Sequence, residues 1–164
     1  MEPFQQVRHK PPVEPQTPRD LIVAVPEMQS HVNLSRIVRT CGCFGVKRLV
    51  TSGRPKLDPD IARDATDTVN VETHRTLAPA LRKLKEQGYA IVGLEQTQRS
   101  EVLWEFSFPQ KCVLLIGHER HGLTDELLAL LDHAVEIPMY GTPHALNAAA
   151  SADCAIYEYC RQHR

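Results

Sequence analysis

The residues best able to do chemistry in this chain fall into three short stretches. His118, Glu119, Arg120 and His121 lie between Gly117 and Gly122, Glu95, Gln96 and Thr97 follow one apolar run, and Met139 to Asn147 (MYGTPHALN) follow another. A fourth group is cationic, with Arg36 and Arg39 three residues apart just after Asn33. Histidine and carboxylate are good zinc ligands, but a helical HExxH site needs its histidines one turn apart, and this stretch reads HERH. No metal is expected. The glycines lack dinucleotide spacing, no Lys-Ser/Thr pair marks a phosphate loop, and no GxSxG elbow presents a serine nucleophile. What remains is a glycine-bracketed turn directly after an apolar run, where the backbone bends sharply and leaves room for a planar group.

The elements that position these residues are legible as alternating periods. LIVAV (21–25), RLVTS (48–52), YAIVGLE (89–95), CVLLIG (112–117) and AVEIP (134–138) are apolar on both faces, as buried parallel strands are. Between the first two, Leu34, Ile37, Val38 and Cys41 make one apolar stripe, with Asn33 standing as N-cap. Leu77, Ala80, Leu81 and Leu84 make a second stripe, stopped by Gly88. A third helix is expected after Thr124, and a long last one from Ala145, poor in bulky residues at its start. The alternation predicts an α/β fold, one domain with a mostly parallel open sheet and helices on both faces. Ligands of such sheets gather beyond the carboxyl ends of the strands, where the three polar stretches fall.

Composition bounds the rest. The 164 residues are 42% hydrophobic, enough for one core, and no run approaches the ~18 apolar residues of a membrane span. With no secretory pattern at the start, a cytoplasmic protein is expected. Residues 1–19 hold Pro3, Pro11, Pro12, Pro15 and Pro18 and read as a flexible proline-rich arm ahead of a domain spanning 20–164. The formal net charge of -1 means that nucleic acid must meet a local basic face: Arg8, Lys10 and Arg19, Arg36 and Arg39, or Lys47, Arg48, Arg54 and Lys56. Five cysteines, odd in number, suggest neither a disulfide framework nor zinc, and Cys41 and Cys43 read as packed thiols.

Taken together, NLSRIVRTCGCFG (33–45), LLIGHERHGL (114–123) and VEIPMYGTPHALNAAASA (135–152) resemble, in order and spacing, the three motifs of the SpoU-type, TrmH-like RNA 2'-O-ribose methyltransferases of the SPOUT superfamily. The phrasing is most similar to the branch of TAR RNA-binding protein 1 and Trm3, associated with guanosine 18 of tRNA. The resemblance implies a C-terminal trefoil knot, a homodimer with the first and last helices near its interface, and S-adenosylmethionine as methyl donor. Its adenine and ribose would contact the backbone around Leu94, Glu95, Gly117, Ile137 and Leu146. The motif residues fall on Asn33, Arg39, Glu119 and Asn147, and an RNA-gripping surface on Arg36, Arg39, Arg54 and Lys56.

The implied roles have a chemical logic. Methyl transfer from a sulfonium is an in-line displacement, so alignment of the attacking oxygen and stabilisation of its charge are what the protein must supply. The resemblance makes Arg39 the activator of the 2'-hydroxyl, either as a desolvated base or as a cation beside a developing alkoxide. Asn33 would position it, Glu119 would orient the loop and Asn147 would hold the site at the last helix. The chain departs from the family at Ala145, where serine is usual, at His118, often asparagine, and at Ala148–Ser151, usually valine-rich. Two other functions fit the same motifs: methylation of rRNA, and RNA binding with turnover lost through Ala145.

Overall fold

The computed structural model describes residue 1 and residues 3–164. Seven strands, β1 (Asp20–Val25), β2 (Arg48–Ser52), β3 (Asn70–His74), β4 (Ala90–Leu94), β5 (Glu101–Val102), β6 (Lys111–Ile116) and β7 (His133–Glu136), form one sheet in the order β3-β2-β1-β6-β4-β7-β5. Every pairing is parallel. Because side chains alternate across a strand, each central strand feeds two cores. Leu21, Val23, Val25, Cys112, Leu114 and Ile116 meet α1 (His31–Cys43) and α6 (Ala148–Gln162), through Leu34, Ile37, Val38 and Cys41 on one helix and Ala152, Ala155, Ile156 and Tyr159 on the other. Ile22, Ala24, Val113 and Leu115 meet α4 (Leu77–Glu86) and α5 (Asp125–Leu128) on the opposite face.

The structure departs from expectation at the edges and caps. β3 and β5 were not foreseen: both are edge strands, half-exposed and polar, without the apolar run that marks a central strand. Two single-turn helices, α2 (Pro59–Ala62) and α3 (Ala65–Thr68), also unforeseen, carry the chain from β2 to β3. Ser30, not Asn33, caps α1, its Oγ accepting the Asn33 amide at 3.2 Å. The last helix begins at Ala148, capped by Asn147, so residues 145–147 belong to the loop before it, and the helix after Thr124 is only four residues long.

Two cationic assignments are corrected. Arg19 is no tail cation, because its guanidinium donates to the carbonyls of His163 (2.7 Å), Phe44 (3.2 Å) and Cys160 (3.2 Å). It thus fastens the start of β1 to the carboxyl ends of α1 and α6, where a cation also suits the helix dipoles. Arg48 forms a forked pair with Glu72, whose carboxyl is held below its ordinary value chiefly by that hydrogen bond. All five cysteines are free. Cys41, Cys112 and Cys160 are buried, but Cys43 and Cys154 are exposed, since α1 and α6 turn those positions outward. Burial pushes the Cys112 thiol up to about 12 and raises Cys41 also, as expected of inert packed thiols.

Candidate active site

Past the carboxyl ends of β4, β6 and β7, the loops 117–122 and 137–147 and the first turn of α6 enclose a cleft of about 260 Å³. Leu94, Glu95, Gly117, Ile137 and Leu146, the five positions singled out for a cofactor, all line it. So do Gln96, Ile116, His118, Arg120, Glu136, Met139 and Ala145. The site lies where strand order places it: β6 and β4 are neighbours and β7 flanks β4, so three loops far apart in sequence end side by side.

Glu119 organises the rim. Its Oε1 accepts the Ser30 amide and Asn33 Nδ2, both at 3.2 Å, and its Oε2 accepts the Gln29 amide at 3.3 Å. Asn33 in turn accepts from Asn147 Nδ2 at 3.1 Å, while Asn147 Oδ1 caps α6 by accepting the amides of Ala149 and Ala150 at 2.9 and 3.3 Å. The amide orientations are forced. Asn147 must turn its oxygen to the helix, which leaves its nitrogen for Asn33 Oδ1 and the Asn33 nitrogen for Glu119. Three of the four motif residues therefore form one chain of hydrogen bonds that ties the starts of α1 and α6 to the loop after β6.

Burial opposes ionisation of Glu119, but the hydrogen bonds from Asn33 and from backbone amides outweigh it and hold the carboxyl below 4.5. A carboxyl depressed in the folded state stabilises it fully above the unfolded value, and that contribution is lost as pH falls through the folded value. The gap in melting temperature between wild type and Glu119→Gln, measured from about pH 6 to about pH 3, is therefore expected to narrow as the pH falls below 4.5. Thermal melts across that range check it, and a gap that never narrows would refute the assignment.

Two groups that sequence reasoning missed complete the cleft. The side chain of Glu95, expected to matter only through its backbone, accepts the amide of Leu123 at 2.9 Å and braces the loop from below. It lies so close that a Cβ at Gly122 would stand 2.5 Å from its Oε2, and one at Gly117 2.9 Å. Gly122 also has φ +63°, so glycine is needed there on both counts. Glu136, near the end of β7, lines the cleft and accepts the hydroxyl of Ser100. Its only signal in the sequence is a carboxylate inside an apolar run.

Arg39 stands apart. It lies six residues beyond Asn33 on α1, about 9 Å further along and about 120° around the helix, so it is exposed and does not line the cleft of its own chain. Arg36 shares that outward face, and Arg54 and Lys56 are exposed in the loop after β2. Among the described residues, the four side chains make no hydrogen bond or ion pair. Also among the described residues, no cluster of three or more His, Cys, Asp or Glu could hold a metal, and no helix is long and apolar enough to cross a membrane.

Comparison with known proteins agrees with this architecture. Residues 20–157 match the model of the SpoU rRNA Methylase family. The tRNA (guanosine(18)-2'-O)-methyltransferase TARBP1 of Mus musculus is 34% identical over 148 residues, covering 87% of this chain and 9% of that one. The tRNA (guanosine(18)-2'-O)-methyltransferase of Escherichia coli K12 is 31% identical, covering 87% of this chain and 64% of that one. The chain thus spans less than two thirds of either relative. The crystal structure of the A. aeolicus TrmH/SpoU tRNA modifying enzyme superposes with a TM-score of 0.83 at 28% identity, covering 90% of this chain and 77% of that one. On the family match over most of its length and on this shared fold, the chain belongs to the SpoU rRNA Methylase family.

Proposed function

We propose that this chain transfers a methyl group from S-adenosylmethionine to a ribose 2'-hydroxyl of tRNA, with guanosine 18 as the first target. The observation that carries the reading is the convergence of the five cleft positions on one pocket past the sheet's carboxyl edge, with the Glu119–Asn33–Asn147 chain of hydrogen bonds along its rim. The names of the relatives, both acting on guanosine 18 of tRNA, support the substrate. The pocket suits the donor: Leu94, Ile116, Ile137, Met139 and Leu146 offer apolar walls to a planar base, and the carboxylates of Glu95, Glu119 and Glu136 suit a cationic sulfonium and ammonium. When bound, S-adenosylmethionine supplies an electrophilic methyl carbon on sulfur.

The protein aligns and stabilises. Leu94, Glu95, Gly117, Ile137 and Leu146 hold the donor, with Glu95 keeping the loop closed beneath it and Glu119, Asn33 and Asn147 keeping the rim in register. Arg39 is a charged guanidinium that stabilises the developing 2'-oxyanion, while the hydroxyl proton leaves to water or to a phosphate of the RNA. Since α1 turns Arg39 away from its own cleft, it serves the cleft of a second copy, in a homodimer built on the exposed sides of α1 and α6. Arg36, Arg54 and Lys56 contact the RNA backbone, so affinity falls steeply with salt. A C-terminal trefoil knot, a cytoplasmic location and a flexible arm upstream of the Arg19 clasp complete this reading.

Ala145, which lines the cleft without the hydroxyl usual in the family, favours a second reading: an RNA-binding protein without turnover. Mass spectrometry of tRNA and rRNA nucleosides, mapped to position in cells with and without the gene, tests both. Loss of 2'-O-methylguanosine at tRNA position 18 is expected. Loss at an rRNA position would replace the substrate, and no loss anywhere, with RNA binding retained, would leave the second reading.

A further inference from the structure

His118 stands where it can do more than line the cleft. Its Nδ1 accepts the amides of Arg120 (3.1 Å) and His121 (3.4 Å), which folds the loop back so that His118 and Gly122 exchange backbone hydrogen bonds, each at 3.0 Å. An acceptor nitrogen carries no proton, so the neutral ring bears its hydrogen on Nε2, which faces Glu119 Oε2 at 3.6 Å. His121 stacks on the same ring, centroids 5.0 Å apart and planes 17° apart. The imidazole thus supports both the turn that walls the cleft and the carboxylate that orders its rim.

We propose that His118 is a positioning residue that ties the order of the cleft loop to pH, holding residues 118–122 folded only while its Nδ1 is bare. A proton taken from water must go to Nδ1, since Nε2 already carries one, and there it would face two N–H donors instead of accepting from them. The charged and titratable groups around the ring are Glu119, Arg120 and His121 in its own loop, Glu95 from the end of β4 and Glu136 on β7, which lines the same cleft. Glu119 lies on the Nε2 side of the ring, so it leaves the clash at Nδ1 in place. The ring must then rotate or the turn must open. An asparagine at this position would offer its Oδ1 as the same acceptor with nothing to titrate.

The loop is read without any ligand, by the protection factors of the Arg120 and His121 amides and by the imidazole ¹⁵N shifts of His118. In wild type, the Nε2–H tautomer is expected at about pH 7.5, with protection falling about five- to ten-fold by about pH 5.5, the worth of one hydrogen bond. His118→Asn is expected to keep the protection at both values, and His118→Gln, which reaches Glu119 but not the two amides, to lack it at both. Protection that is flat in wild type, or that declines equally in His118→Asn, overturns the proposal. Its consequence for the donor rests on the methyltransferase reading: the Kd for S-adenosylhomocysteine, by calorimetry, should rise by a similar factor in wild type and stay level in His118→Asn. A wild type that takes up no S-adenosylhomocysteine at about pH 7.5 sinks the methyltransferase reading, whereas the amide protection decides the role of His118 by itself.

Discussion

Arg39→Ala is expected to lower methyl transfer by about 10²- to 10³-fold, the usual cost of removing one group that stabilises transition-state charge. It should leave the Kd for S-adenosylhomocysteine unchanged, because the side chain does not line the cleft of its own chain. Stability should move by no more than about 0.5 kcal/mol, because an exposed side chain with no partner in its own chain has little to lose. Arg39→Lys should be nearly as inactive, since a point charge does not replace a planar fork. Mixing subunits locates the residue. An Arg39→Ala protomer has a sound cleft but no arginine to lend, and a Glu119→Ala protomer has the arginine but a damaged rim. If Arg39 serves the neighbouring cleft, equal mixtures should regain roughly a quarter of wild-type activity, from the half of the dimers that are hybrid and hold one complete site. No activity beyond that of the parents would return Arg39 to its own chain.

Ile156→Ala is expected to have the largest effect on stability. Ile156 is fully buried on α6, in the core shared with α1 and the sheet, and its truncation leaves a hole that close-packed neighbours fill only in part. The cost should be about 2–5 kcal/mol. At roughly 2–4 °C per kcal/mol for a chain of this size, the melting temperature should fall by about 4–20 °C. Calorimetry and urea titration check it, and a drop of less than about 2 °C would mean that α6 packs on the sheet less closely than the structure has it. Well below the melt, activity per folded molecule should be near wild type, the converse of Arg39→Ala.

What could be read from the sequence follows the range over which each feature is determined. β1, β2, β4 and β6 announce themselves because both faces are buried, β7 by the shorter run around its one buried residue, Val135, and the stripe Leu34, Ile37, Val38, Cys41 because one helix face is buried. β3 and β5 stay silent because a half-wet edge strand keeps no apolar run. Ser30 and Asn33 are both good N-caps, and local chemistry does not choose between them. What engages the Asn33 side chain is Glu119, 86 residues away, and Asn147, 114 residues away. The Glu95 brace depends on β4 lying beside β6, a neighbour relation that only the strand order supplies. Arg19, among prolines, looks like part of the arm, and its three carbonyl partners sit 25 to 144 residues along the chain.

The Arg19 clasp also sets where the proline-rich segment is tethered. β1 runs from this clasp toward the cleft, so the segment leaves from the sheet's far edge, about 20 Å of strand away. An extended chain advances about 3.1 Å per residue, so Arg8, eleven positions upstream of Arg19, has a tether radius of at most about 34 Å. That radius exceeds the length of β1, so on the methyltransferase reading proposed above the tether of Arg8 is long enough to meet RNA at the mouth of the cleft.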